Sequence, residues 1–102
     1  MKLSELAITR ITKALADPQR LEILQRIAQG GEHTGTDVTS KCPIGQATVS
    51  HHLRELTNAG LVVRRKEGQY AYFAFEREVF EAYVLEMSKR LGSSGQIRGG
   101  HP

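Results

Sequence analysis

The sequence predicts a mainly helical domain carrying one β-hairpin, in the order helix, helix, helix, short turn, helix, hairpin, helix. Three observations lead there. Apolar residues recur at spacings of three and four in successive segments, two alternating runs flank Glu67-Gly68, and prolines, glycines and short polar residues mark the breaks between them. A chain of 102 residues has the size of one compact domain. Its 39% hydrophobic and 25% charged residues fit a globular chain and neither a disordered one nor a coiled-coil rod.

Leu3, Leu6, Ala7, Ile11, Ala14 and Leu15 form the apolar stripe of the first helix, with Ser4 as its N-cap and Glu5 in its first turn. That helix stops near Ala16. Asp17-Pro18 then supplies an N-cap and a proline at the first helical position, and Leu21, Leu24, Ile27 and Ala28 continue as the buried side of the second helix. Gly30-Gly31 ends it. Thr34-x-x-Asp37 resembles a capping box and opens a short third helix, weak in propensity because of Val38 and Thr39. Pro43 keeps the residue before it out of helical geometry, so Cys42-Pro43-Ile44-Gly45 reads as a turn, with Gly45 as the next N-cap.

In the fourth helix Val49, Leu53 and Leu56 share the inner side, leaving Gln46, Thr48, Ser50, His51, Arg54 and Asn58 on the other. Asn58-Ala59-Gly60-Leu61 reads as a helix stop with glycine in the left-handed position and Leu61 packing back. Leu61 to Lys66 and Gln69 to Phe75 pair around a Glu67-Gly68 turn as the hairpin. Val79, Phe80, Tyr83, Val84, Met87 and Leu91 mark the last helix. The folded domain is expected over 1–91, and the glycine- and serine-rich 92–102 as a flexible tail.

Composition bounds the function. No apolar run approaches the roughly 20 residues that span a bilayer, and Met1 to Leu6 lacks a secretory pattern. A cytoplasmic chain without membrane contact is expected. One cysteine, Cys42, makes neither an intrachain disulfide nor a cysteine-type zinc site. The sequence shows no glycine-rich phosphate loop, nucleophile elbow or Cys-His-Asp set, so neither enzyme activity nor a cofactor is expected.

The net charge of +3 is concentrated in the middle of the chain, where Lys41, Arg54, Arg64, Arg65 and Lys66 outnumber Glu55 and Glu67. A local basic segment on an otherwise near-neutral domain suits phosphate contact. The polar side of the fourth helix falls in the same stretch, and a helix followed by a basic hairpin is the arrangement of a winged helix-turn-helix. The major groove of B-DNA admits one helix, whose N-terminal half reaches base edges. Gln46, Ala47, Thr48, Ser50 and His51 occupy that half, and Arg54 one turn later meets a phosphate or a guanine. Arg64, Arg65 and Lys66, with Gln69 and Tyr70 after the turn, form a wing toward the backbone or minor groove. The partner expected is double-stranded DNA.

Lys13-Ala-Leu-Ala-Asp-Pro-Gln-Arg-Leu-Glu-Ile-Leu24, Ala47-Thr-Val-Ser-His-His-Leu-Arg-Glu-Leu56 and Ala59-Gly-Leu-Val-Val63 together resemble the ArsR/SmtB family of dimeric repressors, over residues 4–91. The resemblance implies a homodimer built from the first and last helices, a palindromic operator, and release when an effector binds. It also implies that the fourth helix is the recognition helix. The sequence departs from the family at the metal sites. Arsenic and cadmium sensors carry Cys-x-Cys where this chain has Thr34 and Thr36, and zinc sensors need a histidine on the last helix, which here offers Glu76, Glu78, Glu81 and Glu86. Metal sensing through those sites is therefore not expected.

Several single residues admit two readings. Cys42 is either a buried core residue or a thiol that responds to oxidants. His51 and His52 point about 100° apart on a helix and suit no shared ion, His51 facing DNA and His52 the interior. His33 and His101 are expected in solvent. Tyr70, Tyr72 and Phe73 read as hairpin packing before base stacking, and Phe80 and Met87 as dimer core before an effector pocket. A winged-helix module that meets a protein instead of DNA is the alternative from another class.

Overall fold

The computed structural model describes residues 1–92; the rest of the stretch expected as a flexible tail, 93–102, lies outside the described residues. The elements are α1 (Glu5–Leu15), α2 (Pro18–Ile27), β1 (His33–Thr34), α3 (Gly35–Ser40), α4 (Gln46–Asn58), β2 (Val62–Glu67), β3 (Tyr70–Phe75) and α5 (Arg77–Arg90). Side-chain caps set the starts of α1, α2 and α3. Ser4 accepts from the Ala7 amide at 3.1 Å, Asp17 from Gln19 and Arg20 at 2.9 and 3.0 Å, and Thr34 from Asp37 at 3.0 Å. Each satisfies amides that have no partner inside the helix.

The end of α4 is equally local in origin. Gly60 takes φ +81°, its amide donates to the Thr57 carbonyl at 3.0 Å, and the Leu61 amide donates to the Leu56 carbonyl at 3.1 Å. This pair of bonds is a Schellman closure, and it delivers Leu61 into the core with no exposed surface.

The sheet has the order β1-β3-β2, antiparallel throughout. The sequence reading missed β1, in which His33 and Thr34 pair with Phe73 and Tyr72. Two residues are too few for any period to register. The hairpin turn is also displaced by one residue. Glu67 still pairs with Tyr70, so the loop is Gly68-Gln69, with Gly68 at φ +61°. A two-residue hairpin loop needs positive φ at its first central position, and glycine supplies it without steric cost.

Ile11, Ile23, Ile27, Val49, Leu56 and Leu61 are the largest fully buried side chains, and they gather α1, α2, α4 and the start of the wing around one core. Here the expected stripes need correction. On α1 the buried residues are Ile8, Ile11 and Ala14, while Leu6 is 58% exposed; on α2 they are Ile23, Leu24 and Ile27, while Leu21 is exposed. No residue of α5 is fully buried, and Val84 and Leu85 point outward with Leu91 just beyond. These helices carry apolar residues on more than one side, so spacing alone did not fix which side meets the core. α1 and α5 are joined by a 2.7 Å hydrogen bond between the Thr12 and Tyr83 hydroxyls and by ion pairing of Arg90 with Glu5, while Glu86, one turn before Arg90 on α5, pairs with the same guanidinium.

Candidate nucleic-acid interface

Residues 41–45 connect α3 to α4, which gives the helix-turn-helix unit its short turn. α4 is sharply two-sided. Val49, His52, Leu53 and Leu56 are buried, whereas Gln46, Ala47, Thr48, Ser50, His51 and Arg54 are all exposed. The six residues expected to approach DNA from this helix thus form one solvent-facing surface, short and rich in donors near the N-terminus. Cys42 lies in the turn, buried and free, with its amide donating to the Thr39 carbonyl at 3.2 Å.

What holds α4 in place includes one polar contact that spacing arguments did not foresee. His52 turns inward, 4% exposed. Its Nδ1 lies 3.2 Å from the Arg20 guanidinium and its Nε2 lies 2.8 Å from Gln19 Oε1. Arginine only donates, so Nδ1 accepts and the ring carries its proton on Nε2, donating to Gln19. Arg20 Nε donates to the Ala14 carbonyl at 3.0 Å, so one side chain links the end of α1, the start of α2 and the middle of α4. Burial lowers the pKa of His52, the Arg20 and His51 charges lower it further, and Asp17 opposes them.

The wing divides its basic run by the two-residue period of a strand. Arg64 and Lys66 lie opposite Phe73 and Ala71 on the side that faces the core and α4, and Arg65 lies opposite Tyr72 on the other. Arg65 is fully engaged there. Its Nε and one terminal nitrogen reach the two Glu32 carboxylate oxygens at 2.8 Å each, the other terminal nitrogen pairs with Glu67, and the guanidinium sits 4.6 Å from the Tyr72 ring centre. The paired carboxylates hold Arg65 in its charged form, and the Arg65 hydrogen bonds lower the pKa of Glu32. Arg54, Arg64 and Lys66 have no carboxylate within ion-pair distance among the described residues. Gln69 and Tyr70 stand exposed at the wing tip. The geometry therefore separates the residues named from the sequence into a free group (Arg54, Arg64, Lys66) and an engaged one (Arg65). Strand alternation was a readable signal for that division, but the Glu32 contact across 33 residues was not.

Thr34 uses its hydroxyl as the α3 N-cap, and Thr36 is exposed. Among the described residues no group of three or more His, Cys, Asp or Glu side chains lies close enough together to hold a metal ion. No helix among them is long and apolar enough to cross a membrane.

A family model described as a helix-turn-helix domain matches residues 15–65, which run from the end of α1 into β2. The arsenical resistance operon repressor of Bacillus subtilis is 35% identical over 74 residues, covering 72% of this chain and 70% of that protein. A cadmium resistance transcriptional regulatory protein homolog of Staphylococcus aureus is 35% identical over 77 residues, 76% of this chain, which spans 64% of the length of that relative. Among solved structures, the homodimeric winged helix-turn-helix DNA-binding domain of a possible ArsR-family regulator from Mycobacterium bovis superposes with a TM-score of 0.68 at 26% identity, covering 100% of this chain and 97% of that one. Fold and relatives agree: the chain belongs to the ArsR family of DNA-binding, winged helix-turn-helix transcriptional regulators, and is not an enzyme.

Proposed function

We propose that the protein is a homodimeric repressor whose two copies of α4 enter successive major grooves of a palindromic operator. The observation that carries this reading is the continuous exposed surface of Gln46, Ala47, Thr48, Ser50, His51 and Arg54, flanked by Arg64 and Lys66 without acidic partners among the described residues. Gln46, Ala47, Thr48, Ser50 and His51 read base edges, Arg54, Arg64 and Lys66 hold phosphates, and Gln69 and Tyr70 at the wing tip meet the backbone or minor groove. Arg65, bound by Glu32 and Glu67, stiffens the wing. Two-fold symmetry sets half-sites about 10 base pairs apart, centre to centre.

The exposed Leu6 on α1, Val84 and Leu85 on α5 and Leu91 just beyond it support dimerisation through these two helices, where a second copy would take them out of water. The loss of both cysteines at Thr34 and Thr36, with Thr34 occupied as a cap, argues against metal sensing on α3. Burial of Cys42 favours core packing over oxidant sensing.

The test is an anisotropy titration of the reduced protein against its own promoter and a scrambled duplex, each at two salt concentrations. Salt-sensitive binding that prefers the promoter is expected. Absence of binding to either duplex at low salt overturns the reading and leaves a winged-helix module that meets a protein.

A further inference from the structure

Between α4 and the hairpin lies a cleft of about 480 Å³, within the range of sites that hold small molecules. Its floor is apolar, made by Leu53, Ala71 and Phe73, of which Leu53 and Phe73 are almost entirely buried. Its rim carries Ser50 and two guanidinium groups, Arg54 from α4 and Arg64 from β2, neither with a carboxylate partner among the described residues. An apolar floor beneath two uncompensated cations fits a molecule that combines both characters. Guanidinium groups bind carboxylate and phosphate oxygens in a two-pronged geometry, and a flat apolar body covers the Phe73 side.

We propose that this cleft binds a small organic anion with a flat apolar body, and that such a ligand releases DNA by taking Arg54 and Arg64 from the phosphates. The competition rests on the DNA reading above, whereas binding in the cleft does not. A DNA phosphate offers the same anionic chemistry without the apolar body, so the two sources are separable by experiment.

The probe is benzoate, titrated into isotope-labelled full-length protein at constant ionic strength while backbone amide shifts are followed, with inorganic phosphate and benzyl alcohol in parallel. Benzoate is expected to shift Ser50, Leu53, Arg54, Arg64 and Ala71 saturably, with phosphate and benzyl alcohol each at least tenfold weaker. Saturating benzoate is then expected to weaken promoter binding at least tenfold. Ala71→Leu, which adds bulk over the apolar floor of the cleft and leaves both arginines, is expected to abolish the benzoate response while promoter affinity stays unchanged. Should that variant fail to fold, Arg64→Gln is expected to weaken benzoate about tenfold without changing the benzyl alcohol response.

Equal, unsaturable shifts from all three probes overturn the site, as does benzoate binding that survives in folded Ala71→Leu. Saturation of the cleft with promoter affinity unchanged overturns the competition. If no duplex binds while benzoate still saturates the same amides, the DNA reading falls and the site is supported; if the promoter binds and benzoate does not, the site falls alone.

Discussion

His52 is the buried histidine of α4, and its environment makes part of the protein's stability depend on pH. The folded state lowers its pKa through burial, with the Arg20 and His51 charges acting in the same direction. An unfolded chain therefore binds a proton near pH 6.5 that the folded one refuses. Stability contributed by this site is complete above that pH and declines as pH falls below it, toward the lower folded pKa. Urea unfolding midpoints between pH 8 and 5 are expected to fall, and His52→Gln to flatten part of that decline. His52→Ala removes a buried ring and leaves a cavity under α4, at a cost of about 2 kcal/mol, while water can reach the exposed Gln19 and the half-buried Arg20. Much at this scale was legible beforehand: Ser4, Asp17, Thr34 and Gly60 cap helices because the relevant atoms lie within a few residues of one another. The inward direction of His52 followed from helical spacing, but its bonds to Gln19 and Arg20 did not, because they join residues more than thirty positions apart.

For single elements, α4 and the hairpin offer two tests. Gly60 sits at φ +81°, and a Cβ there would meet only the Val79 side chain, at an ordinary 3.9 Å. Gly60→Ala is thus penalised by backbone conformation and not by a clash, by about 1–2 kcal/mol, readable in thermal or urea unfolding. In the wing, alternation makes neighbouring arginines unequal. Arg64→Ala is expected to weaken DNA binding across all sequences and to reduce the slope of log K against log salt by about one for each phosphate no longer neutralised, whereas Arg65→Ala leaves that slope unchanged. An equal reduction of the slope in both variants would show that Arg65 leaves Glu32 to meet DNA. The hairpin itself was readable from its alternating residues. β1 was not, since a strand of two residues gains its identity only from β3 beside it.

Across the whole molecule, helical spacing marks Leu6 and Ile11 of α1 as one stripe, and it passes over Ile8 and Leu85. Packing divides these residues into those that close the core, such as Ile11, and those left facing water, such as Leu6 and Leu85. No single-chain pattern distinguishes a core from a seam between copies, because both are apolar at helical spacing. Leu85→Glu is expected to produce a folded monomer in sedimentation, and to reduce affinity for a two-half-site duplex far more than for one half-site.

The Arg20 side chain gives that seam a reach beyond itself. It grips the last turn of α1 through Ala14 and the reading helix through His52. In the homodimer proposed above, the same side chain ties the position of each α4 to the helix at the seam, so a change at the seam is transmitted through Arg20 to the surface that meets DNA.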